Sequence, residues 1–147
     1  MTKSKGSAAL RLLIAEDNEV DVFLLRKSFD EIGLEYEATV ATNGEEVLAL
    51  INASPDSSGF DGIILDLNLK THSGLDILRR IRELPALAAT RVVILTSSSS
   101  PEDDRRAIAL GANALFKKPI DLYESMQLGK RISELIQQRT GNAGAVA

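Results

Sequence analysis

The feature that most constrains this chain is a regular alternation of short apolar runs with amphipathic segments of helical length. The runs cover residues 12–15, 36–41, 63–65, 92–95 and 114–116. The run 63–65 is apolar throughout, which is typical of a strand buried on both faces of a parallel sheet. Because a helical segment follows each run, the sequence predicts an α/β fold with five βα units in one doubly wound parallel sheet.

Apolar periodicity and end signals locate the helices. In the first predicted helix, residues 20–32, Val20, Leu24 and Ile32 share one apolar face. Gly33 suits the position after this helix, because glycine readily adopts the left-handed conformation found at many helix ends. The predicted apolar face of the last helix includes Leu122, Met126, Ile132 and Ile136.

Composition excludes several classes of protein. The chain carries 17 Lys and Arg against 21 Asp and Glu, a formal net charge of −4, and no basic run that would indicate a nucleic-acid partner. The absence of Cys excludes a disulfide framework and a thiolate zinc site, and a single His argues against a histidine metal site. No apolar run approaches the ~20 residues that span a bilayer, so we expect no membrane segment and a cytoplasmic location.

The domain organisation is predicted to be simple, because a single domain commonly has about 150 residues. We expect one folded domain over residues 10–139. Residues 1–9 and 140–147 are small, polar or rich in Gly and Ala, and are therefore predicted to be flexible tails. Residues 53–59 have the composition of a turn-rich connection.

Residues able to carry chemistry lie within a few positions of the ends of four of the five predicted strands. In doubly wound sheets, ligands bind beyond the carboxyl ends of the strands, where the strand order reverses. In the order 2-1-3-4-5 the first and third strands are neighbours at that point. The residues concerned are Glu16 and Asp17, Asp66 and Asn68, Thr96 and Ser97, and Lys118 and Pro119.

Three carboxylates at one edge of a sheet repel one another unless a cation lies between them. An oxygen-only ligand set suits Mg²⁺. Asp66 is the innermost acid and a plausible nucleophile toward phosphorus. A phosphoryl group on Asp66 could then contact the metal ion, Lys118, and either the Thr96 hydroxyl or the Ser97 backbone.

These stretches resemble the receiver domains of two-component response regulators over roughly residues 11–139. The matching segments are Ile14-Ala15-Glu16-Asp17-Asn18, Ile63-Ile64-Leu65-Asp66-Leu67-Asn68-Leu69, Val93-Ile94-Leu95-Thr96-Ser97 and Phe116-Lys117-Lys118-Pro119. The resemblance implies a flavodoxin-like receiver fold. It also implies that Asp66 accepts a phosphoryl group from a kinase phosphohistidine.

The resemblance implies further roles for the site residues. Glu16, Asp17 and the backbone carbonyl of Asn68 would hold Mg²⁺ together with Asp66. The phosphoryl contacts would come from Lys118, Thr96 and Ser97, and a cis peptide bond would precede Pro119. Leu115 occupies the position at which many receivers carry an aromatic switch residue.

The resemblance also implies a class of partner. The opening Glu-Asp-Asn-Glu-Val-Asp, residues 16–21, looks most like stand-alone receivers, some of which pair with phytochrome-type kinases. We therefore expect a non-enzymatic phosphoacceptor that receives its phosphoryl from a sensor histidine kinase and signals through a protein partner not readable from the sequence. A homodimer through the face from the fourth strand to the fifth helix is a further expectation.

Two other functions fit the same fold. A phosphorylation-independent binding module is the first, because Leu115 and Lys70 depart from the common receiver pattern. The second is a small enzyme, either a Mg²⁺ phosphatase or a flavodoxin. Asn68 stands where a phosphatase would need a second acid, and a chain without Trp, with Glu16 and Asp17 after its first strand, suits a flavin phosphate poorly.

Overall fold

The computed structural model describes residues 9–53 and 59–138 and confirms the predicted architecture. Five parallel strands form one sheet in the order β2-β1-β3-β4-β5. The strands are β1 (Leu10–Ala15), β2 (Tyr36–Ala41), β3 (Gly62–Leu65), β4 (Arg91–Thr96) and β5 (Ala114–Lys117). The helices are α1 (Glu19–Glu31), α2 (Gly44–Asn52), α3 (Gly74–Glu83), α4 (Pro101–Ala109) and α5 (Leu122–Gln137). The predicted tails, apart from residue 9, and most of the predicted 53–59 connection lie outside the described residues.

The core has two layers, because successive strand residues face opposite sides of the sheet. One layer packs Leu13 and Ile63 against α2, α3 and α4, and the other packs Leu12 and Ile64 against α1 and α5. Both faces of the central strands are therefore covered, which explains why the run 63–65 contains only apolar residues.

The inward face of α1 differs from the predicted one. Val20 is 63% exposed and Ile32 is 41% exposed, whereas Leu25, Ser28 and Phe29 are buried. The difference arises because α1 packs closely on α5, and an added Cβ on Gly129 would collide with the Ser28 side chain. The Ser28 hydroxyl is satisfied there by donating to the Leu25 carbonyl at 2.6 Å. A polar residue thus lies at the centre of the buried face, where apolar periodicity alone does not place it.

The helix ends follow their predicted signals more closely. Gly33 has φ +75° after α1. Its N–H donates to the Asp30 carbonyl, and the Leu34 N–H donates to the Phe29 carbonyl, which completes a Schellman motif. Asp121 caps α5 by accepting from the Glu124 N–H.

The predicted face of α5 is confirmed only in its second half. Ile132 and Ile136 are buried, but Leu122 is exposed and Met126 is half-buried. In the first half of the helix the buried positions are Ser125, Leu128 and Gly129. None of the helices in the described part of the chain is both long enough and apolar enough to cross a membrane.

Arg82 on α3 forms hydrogen bonds with the loops that precede β4 and β5. Its guanidinium donates to the carbonyls of Gly111, Leu87 and Thr90 and to the Asn113 side chain, at 2.9 to 3.2 Å. The Asn113 side-chain oxygen also accepts from the Val92 N–H at the start of β4. Burial, with a smaller contribution from Arg91, lowers the pKa of Arg82 from its ordinary value.

Arg82→Ala is expected to lower the free energy of unfolding by roughly 2–4 kcal/mol, because it leaves several partly buried acceptors without their charged donor. The matched control is Arg79→Ala on the same helix, where the arginine pairs with Asp76 in solvent. That control is expected to change stability by less than about 0.5 kcal/mol. Urea unfolding measures both values, and equal effects would contradict this role of Arg82.

Candidate functional site

The register between β1 and β3 brings Glu16 and Asp66 together. Ala15 pairs with Leu65, so the residue that follows each strand lies at the same edge of the sheet. The Asp66 N–H donates to the Ala15 carbonyl, which extends the ladder by one residue. Glu16 is 5% exposed and Asp66 is 4% exposed, so two carboxylates are buried side by side.

Asp17 completes a cluster of three carboxylates. Each of Glu16, Asp17 and Asp66 has one oxygen within 4.8 Å of the oxygens of the other two. Two of the three are buried, and buried carboxylates that close to one another require a neighbouring cation. The oxygen-only donor set therefore fits a divalent ion of the hard class.

Asn68 holds the Asp66 carboxylate through its backbone. Its backbone N–H donates to Asp66 Oδ1 at 3.0 Å. This bond orients the Asp66 side chain at the start of the β3–α3 connection. The predicted contact between the Asn68 carbonyl and a metal ion stays a prediction.

Lys118 is the basic residue at the centre of the acid cluster. Its Nζ lies 2.9 Å from Glu16 Oε1, 2.8 Å from Asp21 Oδ2 and 3.2 Å from Asp66 Oδ2. The lysine side chain is only 15% exposed, so these pairs are shielded from water. Sequence reasoning predicted Lys118 at this site, and the structure brings it to Glu16 and Asp66.

The two buried partners have displaced pKa values. Burial raises the pKa of Glu16 to about 7, against the lowering effect of its hydrogen bond from Lys118. Burial alone would lower the pKa of Lys118, but its hydrogen bonds to Asp21 and Glu16 outweigh burial and hold that pKa above its ordinary value. The Lys118 ammonium therefore stays charged at neutral pH, whereas the pKa of Glu16 lies close to neutral pH.

Thr96 lies at the end of β4, beside the strand that leads to Lys118. The Lys118 N–H donates to the Thr96 carbonyl at 2.9 Å, which joins the ends of β4 and β5. The Thr96 side chain is buried, and its Oγ accepts from the Ser98 N–H, so this bond leaves the hydroxyl hydrogen unused. Ser97 is exposed on the loop that follows.

Lys117 fixes the same loop from the other side of β5. Its Nζ donates to the Ser98 carbonyl at 2.6 Å and to both carboxylate oxygens of Asp104. Successive lysines therefore serve different elements: Lys117 holds the β4–α4 connection, and Lys118 holds the acids.

The position of Leu115 agrees with strand alternation. Leu115 is half-buried and packs with the α2–α3–α4 layer, whereas Phe116 faces the α1–α5 layer. The Phe116 ring lies 5.0 Å from the Arg131 guanidinium carbon. Phe116 therefore does not replace the aromatic residue that many receivers carry at the position of Leu115.

The predicted cis bond before Pro119 is wrong for this structure. All peptide bonds among the described residues are trans. The trans form of an X-Pro bond is favoured by about 0.5–1 kcal/mol when nothing in the fold demands the alternative. Lys118 reaches its three carboxylates with this trans bond in place.

Asp21 is the site residue that sequence reasoning missed. It lies in the first turn of α1, and its N–H donates to the capping side chain of Asn18. The local sequence pattern did not indicate its partner, because Lys118 lies 97 positions further along the chain.

Comparisons with known proteins decide the family. The sequence pattern described as "Response regulator receiver domain" matches residues 12–129. The chain belongs to this family. Receiver domains act as phosphoacceptor domains in two-component signalling and work with sensor histidine kinases. The predicted fold and signalling class are therefore confirmed.

Individual relatives of this receiver span several kinds of protein. The virulence sensor protein BvgS of Bordetella pertussis is 33% identical over 140 residues, which cover 92% of this chain and 11% of BvgS. The phosphorylated cyanobacterial phytochrome response regulator RcpA has a TM-score of 0.82 and 26% identity, covering 94% of this chain and all of the RcpA chain. The Mn²⁺-bound form of response regulator Rcp1 has a TM-score of 0.80 at 24% identity, a likeness of fold.

The receiver spans only a small part of several curated relatives. It matches 8% of the hybrid signal transduction histidine kinase L of Dictyostelium discoideum, at 26% identity. The similarity to such long proteins therefore concerns only their receiver-like segment.

The raised pKa of Glu16 predicts a pH-dependent cost of ionisation. An acid with a folded pKa of about 7 and an ordinary pKa of 4.5 binds more protons in the folded state, so its contribution to stability falls as pH rises through that window. Glu16→Gln, with a chelator present, is expected to stabilise the protein by roughly 1–3 kcal/mol at about pH 8 and by much less at about pH 5.

The control for this prediction is Glu102→Gln, which removes an exposed carboxylate from the first turn of α4. Chemical unfolding at the two pH values measures both variants. A Glu16→Gln protein that is less stable than the parent at both pH values would contradict the assignment of a costly buried charge.

Proposed function

We propose that Asp66 is the phosphoacceptor of this receiver and that it takes a phosphoryl group from a phosphohistidine on a sensor histidine kinase. The observation that carries the proposal is a buried Asp66 carboxylate beside two other acids and 3.2 Å from the Lys118 ammonium. The Asp66 carboxylate thus contacts the Lys118 ammonium and belongs to a group of acids that could hold a metal ion. Phosphoryl transfer depends on such positive charges beside the phosphoryl group.

The transfer itself is a displacement at phosphorus. An oxygen of the Asp66 carboxylate forms a new P–O bond while the P–N bond of the phosphohistidine breaks. The leaving imidazole nitrogen keeps the electron pair of the broken bond. Lys118 stabilises the negative charge on the phosphoryl oxygens, and the Asn68 N–H keeps the Asp66 carboxylate oriented through Oδ1.

Thr96 and Ser97 would complete the phosphoryl contacts. The Thr96 hydroxyl hydrogen is not used in its bond with Ser98, so the hydroxyl can donate to a phosphoryl oxygen after a small movement of the loop. Leu115 lies on the α4 side of β5, where this movement would change the packing.

We propose Mg²⁺ as the resident ion, held by Glu16, Asp17, Asp66 and the Asn68 carbonyl. When bound, the ion would neutralise charge on the phosphoryl group during transfer. Mg²⁺ suits this site because it is typically held by one or two carboxylates together with phosphate oxygens and water.

The similarity to RcpA supports a phytochrome-type kinase as the phosphodonor and a single-domain regulator as the class, because RcpA is aligned over its whole chain. We propose that this receiver acts in the cytoplasm, where such kinases draw on ATP. The only reactions of its own would be the phosphorylation and dephosphorylation of Asp66. The signal would leave through a protein partner.

We also propose that the face from β4 to α5 forms a homodimer. Ile108 on α4 is 48% exposed and would provide an apolar contact there. Sedimentation of the phosphorylated protein tests this idea, and Ile108→Glu is expected to leave it monomeric. A dimer that persists in Ile108→Glu would contradict this placement.

The alternative of a phosphorylation-independent binding module explains less. It gives no reason to bury two carboxylates and a lysine in one site, since each costs desolvation energy. Leu115 and Lys70 depart from the common receiver pattern, but neither is part of the acid cluster.

Incubation with Mg²⁺ and a small phosphodonor such as acetyl phosphate is expected to add the mass of one phosphoryl group to the intact protein. Asp66→Asn is expected to abolish the gain, because an amide oxygen is a much weaker nucleophile than a carboxylate. Intact-mass spectrometry measures both proteins.

The matched control is Asp76→Asn on α3, which removes an exposed carboxylate outside the site. This variant is expected to gain the same mass as the parent. A mass gain that survives in Asp66→Asn, or a parent protein that gains none, would refute the proposed acceptor.

A further inference from the structure

Asp21 differs from the other two carboxylates that contact Lys118. Among the described residues, the acids close enough to share one metal ion are Glu16, Asp17 and Asp66. Asp21 lies outside this group, yet its oxygen is 2.8 Å from Lys118 Nζ, the shortest of the three contacts. Two of the three carboxylates that hold the lysine are therefore shared with the metal cluster, and one is not.

This arrangement bears on a conflict between two cations. A divalent ion on Glu16 and Asp66 would compete with the Lys118 ammonium for the same two carboxylates. The two cations would also repel each other strongly, because the site is largely shielded from water. Without another anion, the lysine would have to leave the site or weaken the hold on the ion.

We propose that Asp21 is a positioning residue that pairs with Lys118 and so lets the ammonium and a divalent ion occupy the site together. The Asp21 carboxylate remains paired with Lys118 when the ion binds Glu16 and Asp66. It thereby keeps the ammonium beside Asp66, where the phosphoryl group would arrive. The last step rests on the proposed function, whereas the effect on metal binding does not.

The location of Asp21 suits this role. It lies in the first turn of α1, where the helix dipole favours a negative charge. The Asp21–Lys118 pair also borders a small cavity whose walls include the apolar residues Leu24, Pro119 and Leu128. Apolar walls reduce screening by water and strengthen the pair.

Titration of the full chain with Mn²⁺, followed by electron paramagnetic resonance, tests the proposal. Asp21→Asn is expected to weaken Mn²⁺ binding by about fivefold or more, because Lys118 then relies on the carboxylates that the ion needs. Asp21→Glu, which keeps the charge within reach, is expected to restore most of the affinity. Asp21→Ala provides a second neutral variant if the amide disturbs folding.

The matched control is Glu19→Gln, which removes a charge from the same turn of α1 without a contact to Lys118. A similar loss of affinity in Glu19→Gln would mean that only the general field of the helix start matters, and would overturn the proposal. An unchanged affinity in Asp21→Asn would also overturn it.

Coupling to Lys118 provides the decisive comparison. In a Lys118→Met background, Asp21→Asn is expected to cost much less Mn²⁺ affinity than in the parent, because no ammonium remains to be held. An equal loss in both backgrounds would refute a role that acts through the lysine. These readouts involve no phosphorus, so a failure of phosphorylation at Asp66 and a failure of this role of Asp21 give separate results.

Discussion

The pairing of β1 with β3 in parallel register is the constraint on which the site depends. It aligns the two strand ends, so that Glu16 and Asp66 emerge side by side from the most deeply buried part of the sheet. Neither carboxylate would be tolerated there alone, because burial of an unpaired charge is expensive. Lys118 follows β5, two strands from β3 and three from β1, and compensates both acids. The chemistry of the site is thus a direct result of strand order.

The rest of the molecule keeps these strand ends fixed. The α1–α5 layer and the α2–α3–α4 layer clamp the sheet from both sides, and Arg82 ties α3 to the loops before β4 and β5. Lys117 attaches the β4–α4 loop to β5 at Ser98 and Asp104. The packed layers therefore support the acids, whereas Ser97, on the β4–α4 loop, is exposed to solvent.

Much of this arrangement could be predicted from the sequence, because it depends on local patterns. Apolar runs marked the strands, and the residues after them marked Glu16, Asp66, Thr96 and Lys118. The contacts that were missed depend on how distant elements pack. Ser28 is buried on α1 because Gly129 on α5 allows a close approach, and neither residue is apolar enough to reveal it. Asp21 contacts Lys118 across 97 residues of sequence, a pairing that local spacing does not reveal. The bond before Pro119 is trans, and residue spacing does not indicate its isomer either.

The contact between Ser28 and Gly129 sets a narrow tolerance for redesign of this receiver. Even a methyl group at Gly129 would meet the serine side chain, so α1 and α5 would have to move apart. Such a displacement would also move the first turn of α1, which carries Asp21. A substitution where these two helices meet would therefore change the distance between the Asp21 carboxylate and the Lys118 ammonium, which is 2.8 Å in the parent protein.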